Sequence, residues 1–130
     1  MSRTPWRWID ARVLRLLHDE SIAEHGGAPG LRDPGLLESA LARPEQAAHY
    51  GEADVAELAS LYAHGLVKNH AFVDGNKRAA FLALGLFLAL NGWCLKVSQA
   101  EATGAVVSLA AGELSEAEFA TWLRSRIQPR

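Results

Sequence analysis

Between Ala79 and Leu90 the chain runs twelve residues without a charged or hydrogen-bonding side chain. Such a run is too short to cross a bilayer, which takes roughly 20 apolar residues. It reads instead as a buried core helix, apolar on nearly every face, and hence as the central helix around which the others pack. Gly85 sits inside it; a glycine in a helix interior costs about 1 kcal/mol relative to alanine, so a close helix crossing is expected there. Directly upstream stand nine residues of a different character, His70-Ala-Phe72-Val-Asp74-Gly75-Asn76-Lys77-Arg78. They bring a base, a carboxylate, a flexible backbone turn and two cations to the start of that helix.

The remaining composition narrows the setting. With 130 residues the chain fits one domain and can bury roughly two-thirds of the surface of its unfolded form. Cys94 is the only cysteine, which excludes an internal disulfide or a cysteine-rich zinc site. The opening Met1-Ser-Arg-Thr-Pro5-Trp6-Arg7-Trp8 is no apolar signal segment, and cytoplasmic residence is expected. Thirteen Lys and Arg against fifteen Asp and Glu give a net charge of -2. No field of the whole protein would gather nucleic acid, so neither direct nucleic-acid binding nor a membrane is expected, and any anion site must be local.

Turn signals divide the chain into about six helices with little or no sheet, an all-α class. Helix one is expected from Asp10 to about His25, with Ile9, Val13, Leu16 and Leu17 inward, ending at Gly26-Gly27. A glycine-rich loop then leads to Asp33-Pro34, a cap and first-turn pair for a helix through Leu36, Leu37, Ala40 and Leu41 that Arg43-Pro44 should end. Residues 44 to 53 read as a loop. Asp54 can cap helix three, which keeps its period to about Asn69 and delivers His70 at its carboxyl end. Helix four starts near Asn76 and closes at Asn91-Gly92. Trp93 to Val97 reads as briefly extended, and Ser98 with Glu101 and Ser115 with Glu118 fit two capping boxes opening helices five and six.

The nine residues suit phosphate chemistry. A helix N-terminus offers unpaired N–H groups and the positive end of its dipole, and Gly75 lets the backbone approach an anion closely. His70 could take a proton from an attacking hydroxyl, a role typically worth ~10² to 10⁴ in rate. Asp74 supplies the hard oxygen that Mg²⁺ prefers, with phosphate oxygens and water completing the shell. Arg78 can grip phosphate with two parallel hydrogen bonds, Lys77 adds a compact charge, and Asn76 can donate from its amide. Phe72 is expected in the core, pinning the loop. His18, His25, His49 and His64 lack a partner pattern and are expected at the surface or at helix ends. The four tryptophans, 6, 8, 93 and 122, are expected mainly in the core.

Residues 70 to 78 closely resemble the signature of the Fic and Doc superfamily, written His-x-Phe-x-Asp/Glu-Gly-Asn-Gly-Arg in Fic proteins. Lys77 points to the death-on-curing (Doc) branch, which carries Asn-Lys-Arg there. Gly26-Gly27, Gly30-Leu31-Arg32-Asp33, Leu37-Glu38-Ser39-Ala40, Arg43-Pro44 and the stretch from Phe87-Leu88 to Asn91-Gly92 are similar as well, so the resemblance spans about residues 12 to 125. It implies one Fic/Doc domain over residues 1–130, folded as a compact helical Fic bundle. It also implies a toxin of a toxin-antitoxin module, partnered by a Phd-like antitoxin whose C-terminal segment folds against it. The reaction implied is Mg²⁺-dependent transfer of the terminal phosphate of ATP to a protein hydroxyl, on elongation factor Tu, arresting translation.

By position, the resemblance makes His70 the base, Asp74 the Mg²⁺ ligand, Gly75 to Lys77 the anion nest and Arg78 the phosphate clamp. A glycine at 77 would let phosphates nestle against backbone, whereas a lysine fills that space and draws a phosphate to its ammonium, turning the nucleotide round. Fic proteins often carry a second arginine four residues after the first. Leu82 stands here, which fits nucleotidyl transfer poorly. Nothing in the chain resembles a self-inhibitory glutamate motif, consistent with inhibition in trans. The alternatives are a Fic-type nucleotidyltransferase (AMPylation) and a non-catalytic helical binding partner. Substrate recognition is expected from loops 26 to 33 and 44 to 53, with Arg32 and Tyr50 as candidate contacts.

Overall fold

Helix starts in this chain are written in short polar side chains, and their placement organises the fold. A computed structural model describes residues 5–130; the first four residues of the opening segment lie outside the described residues. The described residues form α1 (Ala11–His25), α2 (Pro34–Tyr50), α3 (Val55–Asn69), α4 (Asn76–Leu90), β1 (Trp93–Leu95), α5 (Gln99–Ala110), α6 (Glu116–Arg124) and β2 (Ile127–Pro129). Asp10, Asp33, Asp54, Ser98 and Ser115 each accept a backbone N–H at the start of α1, α2, α3, α5 and α6. Such a cap is typically worth ~1 kcal/mol. Reciprocal capping boxes form at Asp54 with Glu57 and at Ser115 with Glu118. At Ser98 only half of the expected box is present, because Glu101 turns away to pair with Arg126 at 3.1 Å.

The centre of the bundle is shared by two helices. α3 packs against α2, α4, α5 and α6, while α4 packs against α1, α3, α5 and β1. Between them lie the fully buried Tyr62 and Phe87, rings 5.1 Å apart. Trp6 and Trp8 stack on Phe87 from outside, and the Tyr62 hydroxyl accepts the Ile9 N–H at 3.1 Å, so the opening segment is laid across α4. Burial of that phenol pushes its pKa up to about 12. The extended stretch after α4 gains a partner that periodicity did not indicate: β1 pairs antiparallel with β2 at the chain's end, Cys94 opposite Gln128.

Three local expectations are corrected. Pro44 does not end α2, which continues to Tyr50. Proline inside a helix costs about 3 kcal/mol, and here its ring is buried with Leu37, Ala40 and Leu41 on the face toward α3. Residues 44 to 50 are therefore helix rather than loop. The inward face of α1 is Leu14, His18 and Ile22, whereas Val13 and Leu16 are exposed. Ile9 is buried as expected. Gly85 faces open space; the close crossing is at Gly65, where an added Cβ would meet Ala40 Cα and Cβ at 3.3 Å. Among the described residues no helix is long and apolar enough to cross a membrane.

The two glycines should respond oppositely in urea unfolding. Gly85→Ala should stabilise by about 0.5 to 1 kcal/mol, since it removes backbone freedom from the unfolded chain at an unobstructed helical position. Gly65→Leu should destabilise by roughly 1 to 3 kcal/mol through overpacking against Ala40. Acid should also weaken the fold through Asp54, whose carboxyl is held below its ordinary 3.8 chiefly by the Arg124 side chain at 2.7 Å, with the Glu57 amide contributing. A lowered folded pKa gives stability present above 3.8 and lost as pH falls through the folded value. Asp54→Asn, which keeps the cap and removes the charge, should flatten the acid side of the midpoint-against-pH curve.

Candidate active site

α3 ends with its last turn handing the chain to His70 in the left-handed conformation, φ 50° and ψ 50°. His70 is the one non-glycine among the described residues with positive φ, a conformation that costs of order 1 to 3 kcal/mol and persists only where neighbours enforce it. The enforcing neighbour is Arg32: Nε donates to the His70 carbonyl at 2.8 Å and Nη2 to the Asn69 carbonyl at 3.1 Å. Arg32 therefore closes the carboxyl end of α3. Its loop is stitched to the motif along the backbone as well, since the Arg32 and Asp33 amides donate to the Ala71 carbonyl and the Val73 amide to the Gly30 carbonyl. Leu31 and Phe72 form an antiparallel bridge. Tyr50, at the end of α2, is 86% exposed and makes an edge contact with His49.

The turn from His70 into α4 is held by Asn76. Its Oδ1 accepts the Phe72 N–H at 3.0 Å and its Nδ2 donates to the Phe72 carbonyl at 3.0 Å. The expectation that this amide donates to phosphate is corrected, because the side chain is buried and occupied. What Asn76 can offer a ligand is its backbone N–H. Nδ2 also lies 3.4 Å from His70 Nδ1, a contact too long to hold one imidazole tautomer firmly. Phe72 is in the core, as its position beneath the loop requires.

α4 differs from the other five helices in that it begins on Gly75, in the left-handed region at φ 72°, with no side-chain cap. The first amides of the helix therefore have neither an intrahelical nor a side-chain acceptor. Among the described residues Lys77 makes no hydrogen bond and neither Lys77 nor Arg78 pairs with a carboxylate. Arg78 rests one amino group near the Ser21 and Gly26 carbonyls at the end of α1, at 3.5 and 3.3 Å. Its other amino group and Nε carry no protein acceptor among these residues.

Asp74 is exposed, with Oδ2 accepting the Ala28 amide at 3.1 Å and Oδ1 the Gly75 amide at 2.7 Å. Those two backbone bonds, first Ala28 and then Gly75, hold its carboxyl below the usual carboxylate range. His70, Asp74, Gly75, Lys77 and Arg78 all line one cavity of about 850 Å³, bounded by the carboxyl half of α1, the first turns of α4 and α5. One wall is apolar, with Phe81, Leu82 and Val107; Glu20 and Glu24 of α1 stand on another. The arrangement can hold a phosphate anion on backbone amides and two cations, a cation on Asp74, and a base at the rim.

Three of the remaining histidines lie at or near the surface, with His64 half-buried between Arg43 and Glu116. The fourth departs from expectation. His18 is wholly buried, stacked on Phe72 at 3.9 Å with its Nε2 2.8 Å from the Asp74 carbonyl. The signal that could have found it is its place midway between Leu14 and Ile22, four residues from each. For the role of Arg32 the sequence holds no comparable signal.

The Fic/DOC family model matches residues 8–88, a span that contains the whole motif and the loop stitched to it. Over 119 residues the chain is 36% identical to the protein kinase doc of Escherichia phage P1, covering 91% of this chain and 94% of that protein. Over 70 residues it is 47% identical to the toxin Doc of Mycolicibacterium smegmatis, covering 52% of this chain and 53% of that protein. A match over more than half the chain, with a relative 36% identical over nearly its whole length, makes this protein a member of the Fic/DOC family.

Proposed function

We propose that this protein is a Doc-like toxin of a toxin-antitoxin module, transferring the terminal phosphate of ATP to a hydroxyl of elongation factor Tu and so arresting translation in the cytoplasm. The observation that carries the reading is the uncapped start of α4, flanked by Lys77 and Arg78, which have no carboxylate partner among the described residues, in the cavity that also holds His70. The names of the two relatives, a protein kinase and a toxin, support it.

In this reading the amides of Asn76 and Lys77 and the Arg78 fork bind the phosphates, the Gly75 amide being held by Asp74 Oδ1 at 2.7 Å. The target hydroxyl attacks the terminal phosphorus; a new O–P bond forms, the bond to the β-phosphate oxygen breaks, and ADP leaves. His70 takes the hydroxyl proton at a ring nitrogen. Positioning and charge stabilisation carry most of such a reaction. Asp74 suits Mg²⁺: it is exposed, ionised well below neutral pH, and a single carboxylate suffices where phosphate and water complete the shell. When bound, Mg²⁺ would neutralise charge on the phosphate oxygens. Lys77 projects from the second position of α4, where it would draw the terminal phosphate to its ammonium. The position four residues beyond Arg78 is Leu82, on the apolar wall, which supplies no second clamp for nucleotidyl transfer. A Phd-like antitoxin would inhibit in trans by laying its C-terminal segment along the cavity between α1 and α5.

Incubation with γ-labelled ATP, Mg²⁺ and elongation factor Tu should label the factor, and His70→Ala should lower the rate by ~10² to 10⁴. Label arriving only from α-labelled ATP would make the protein a nucleotidyltransferase instead. Lys77→Gly should shift activity toward nucleotidyl transfer. In cells, expression without antitoxin should arrest growth, and His70→Ala, Asp74→Ala or Arg78→Ala should each relieve the arrest without loss of helical content. Equal toxicity of folded His70→Ala protein would favour action by binding alone.

A further inference from the structure

His18 is the one buried side chain among the described residues whose polar atom lacks any partner: its Nδ1 is enclosed and unbonded. A buried imidazole that uses only one nitrogen is an expensive way to fill space, since an unpaired buried polar atom costs about 1 to 3 kcal/mol. What it secures is the other bond. The Asp74 carbonyl can only accept, so His18 Nε2 carries the hydrogen across the 2.8 Å contact.

That bond fixes one peptide plane. In a trans peptide the carbonyl and the following N–H point in opposite directions. The Asp74 carbonyl points to His18 in the core, and the Gly75 N–H points the other way, to Asp74 Oδ1 at 2.7 Å. Glycine tolerates either sign of φ, so the peptide before Gly75 is one that could easily turn over. Turned over, it would set a carbonyl oxygen against the Asp74 carboxylate at the edge of the cradle, in place of the N–H that Asp74 Oδ1 now accepts. The packing guards the same point, because an added Cβ on Gly75 would meet His18 Nε2 and Ile22 Cδ1 at 3.1 Å. Stacking on Phe72 at 3.9 Å holds the ring in plane for the bond.

We propose that His18 is a positioning residue for the phosphate cradle: its Nε2–H holds the Asp74–Gly75 peptide with the carbonyl turned inward, so that no carbonyl oxygen faces the ligand beside the free amides of α4. The inference rests on the phosphate-binding reading of residues 74 to 78. The test is calorimetric binding of Mg·ATP to the whole protein, alongside long-range ¹⁵N–¹H NMR of the His18 ring in the unliganded wild type. His18→Leu should weaken binding about tenfold, and His18→Gln, whose amide can still donate to the carbonyl, should restore it to within about threefold of wild type. NMR should show the hydrogen on Nε2. Wild-type protein that fails to bind Mg·ATP overturns the phosphate reading itself. Wild-type binding with His18→Leu equally tight, or folded His18→Gln as weak as His18→Leu, overturns the positioning role alone. A ring hydrogen found on Nδ1 with none on Nε2 does so too, even if His18→Leu fails to fold.

Discussion

The two-ended grip of the Asn76 amide on the Phe72 peptide is what turns a nine-residue loop into a site. Holding both the N–H and the carbonyl of one residue sets the direction in which the chain leaves α3 and the point at which α4 begins. The three residues between Phe72 and Asn76 must then close a tight turn, which Gly75 makes possible through its left-handed conformation. The N-cap position falls on Gly75, which has no side chain with which to cap the helix, and the Asn76 side chain is turned inward. The bareness of the α4 amides is thus a consequence of the glycine that the turn needs at its last position.

Charge follows from the same arrangement. The protein is slightly acidic as a whole, and its long-range field would not favour a polyanion. Locally the balance reverses, because a helix terminus, Lys77 and Arg78 lack carboxylate partners among the described residues, while Asp74 is engaged by two backbone amides. Engagement by amides lowers the carboxylate's pKa without neutralising the nearby cations. A site built this way presents a negative oxygen and several positive donors side by side, as a phosphate with an accompanying metal ion requires. Glu20 and Glu24 on the facing wall of the cavity limit where an anion can sit, confining it to the α4 end.

Much of this was legible because the determining signals are local. Asp10, Asp33, Asp54 and Ser115 mark helix starts through hydrogen bonds that span three residues or fewer, and the motif's cluster of residue types has few other uses. The misread elements depend on tertiary packing. Pro44 stays helical because α3 buries it, which no local rule can report. Periodicity selects the wrong stripe on α1 because His18 counts as polar, although it fills the middle of the buried stripe between Leu14 and Ile22. Gly85 and Gly65 look alike in sequence, and only the neighbour of each decides which is a crossing. Within the site, the division of labour was not legible: the Asn76 amide looks like a ligand-binding group and is used to hold backbone, and Arg32 holds the end of α3.

Arg32 carries that point furthest. A left-handed histidine at a helix end is strained, and the strain must be offset by contacts that exist only in the folded state. Two charge-assisted bonds from Arg32 to the last carbonyls of α3, together with the backbone bonds from residues 30 to 33 to residues 71 and 73, supply them. Charge-assisted bonds are about twice as strong as neutral ones, which is comparable to the conformational cost at His70. The loop of residues 26 to 33 is therefore part of the frame that holds residues 69 to 73. Its exposed flank borders the cavity through Val73 and Asp74, so a protein segment pressing on the loop would bear directly on the backbone that aims His70.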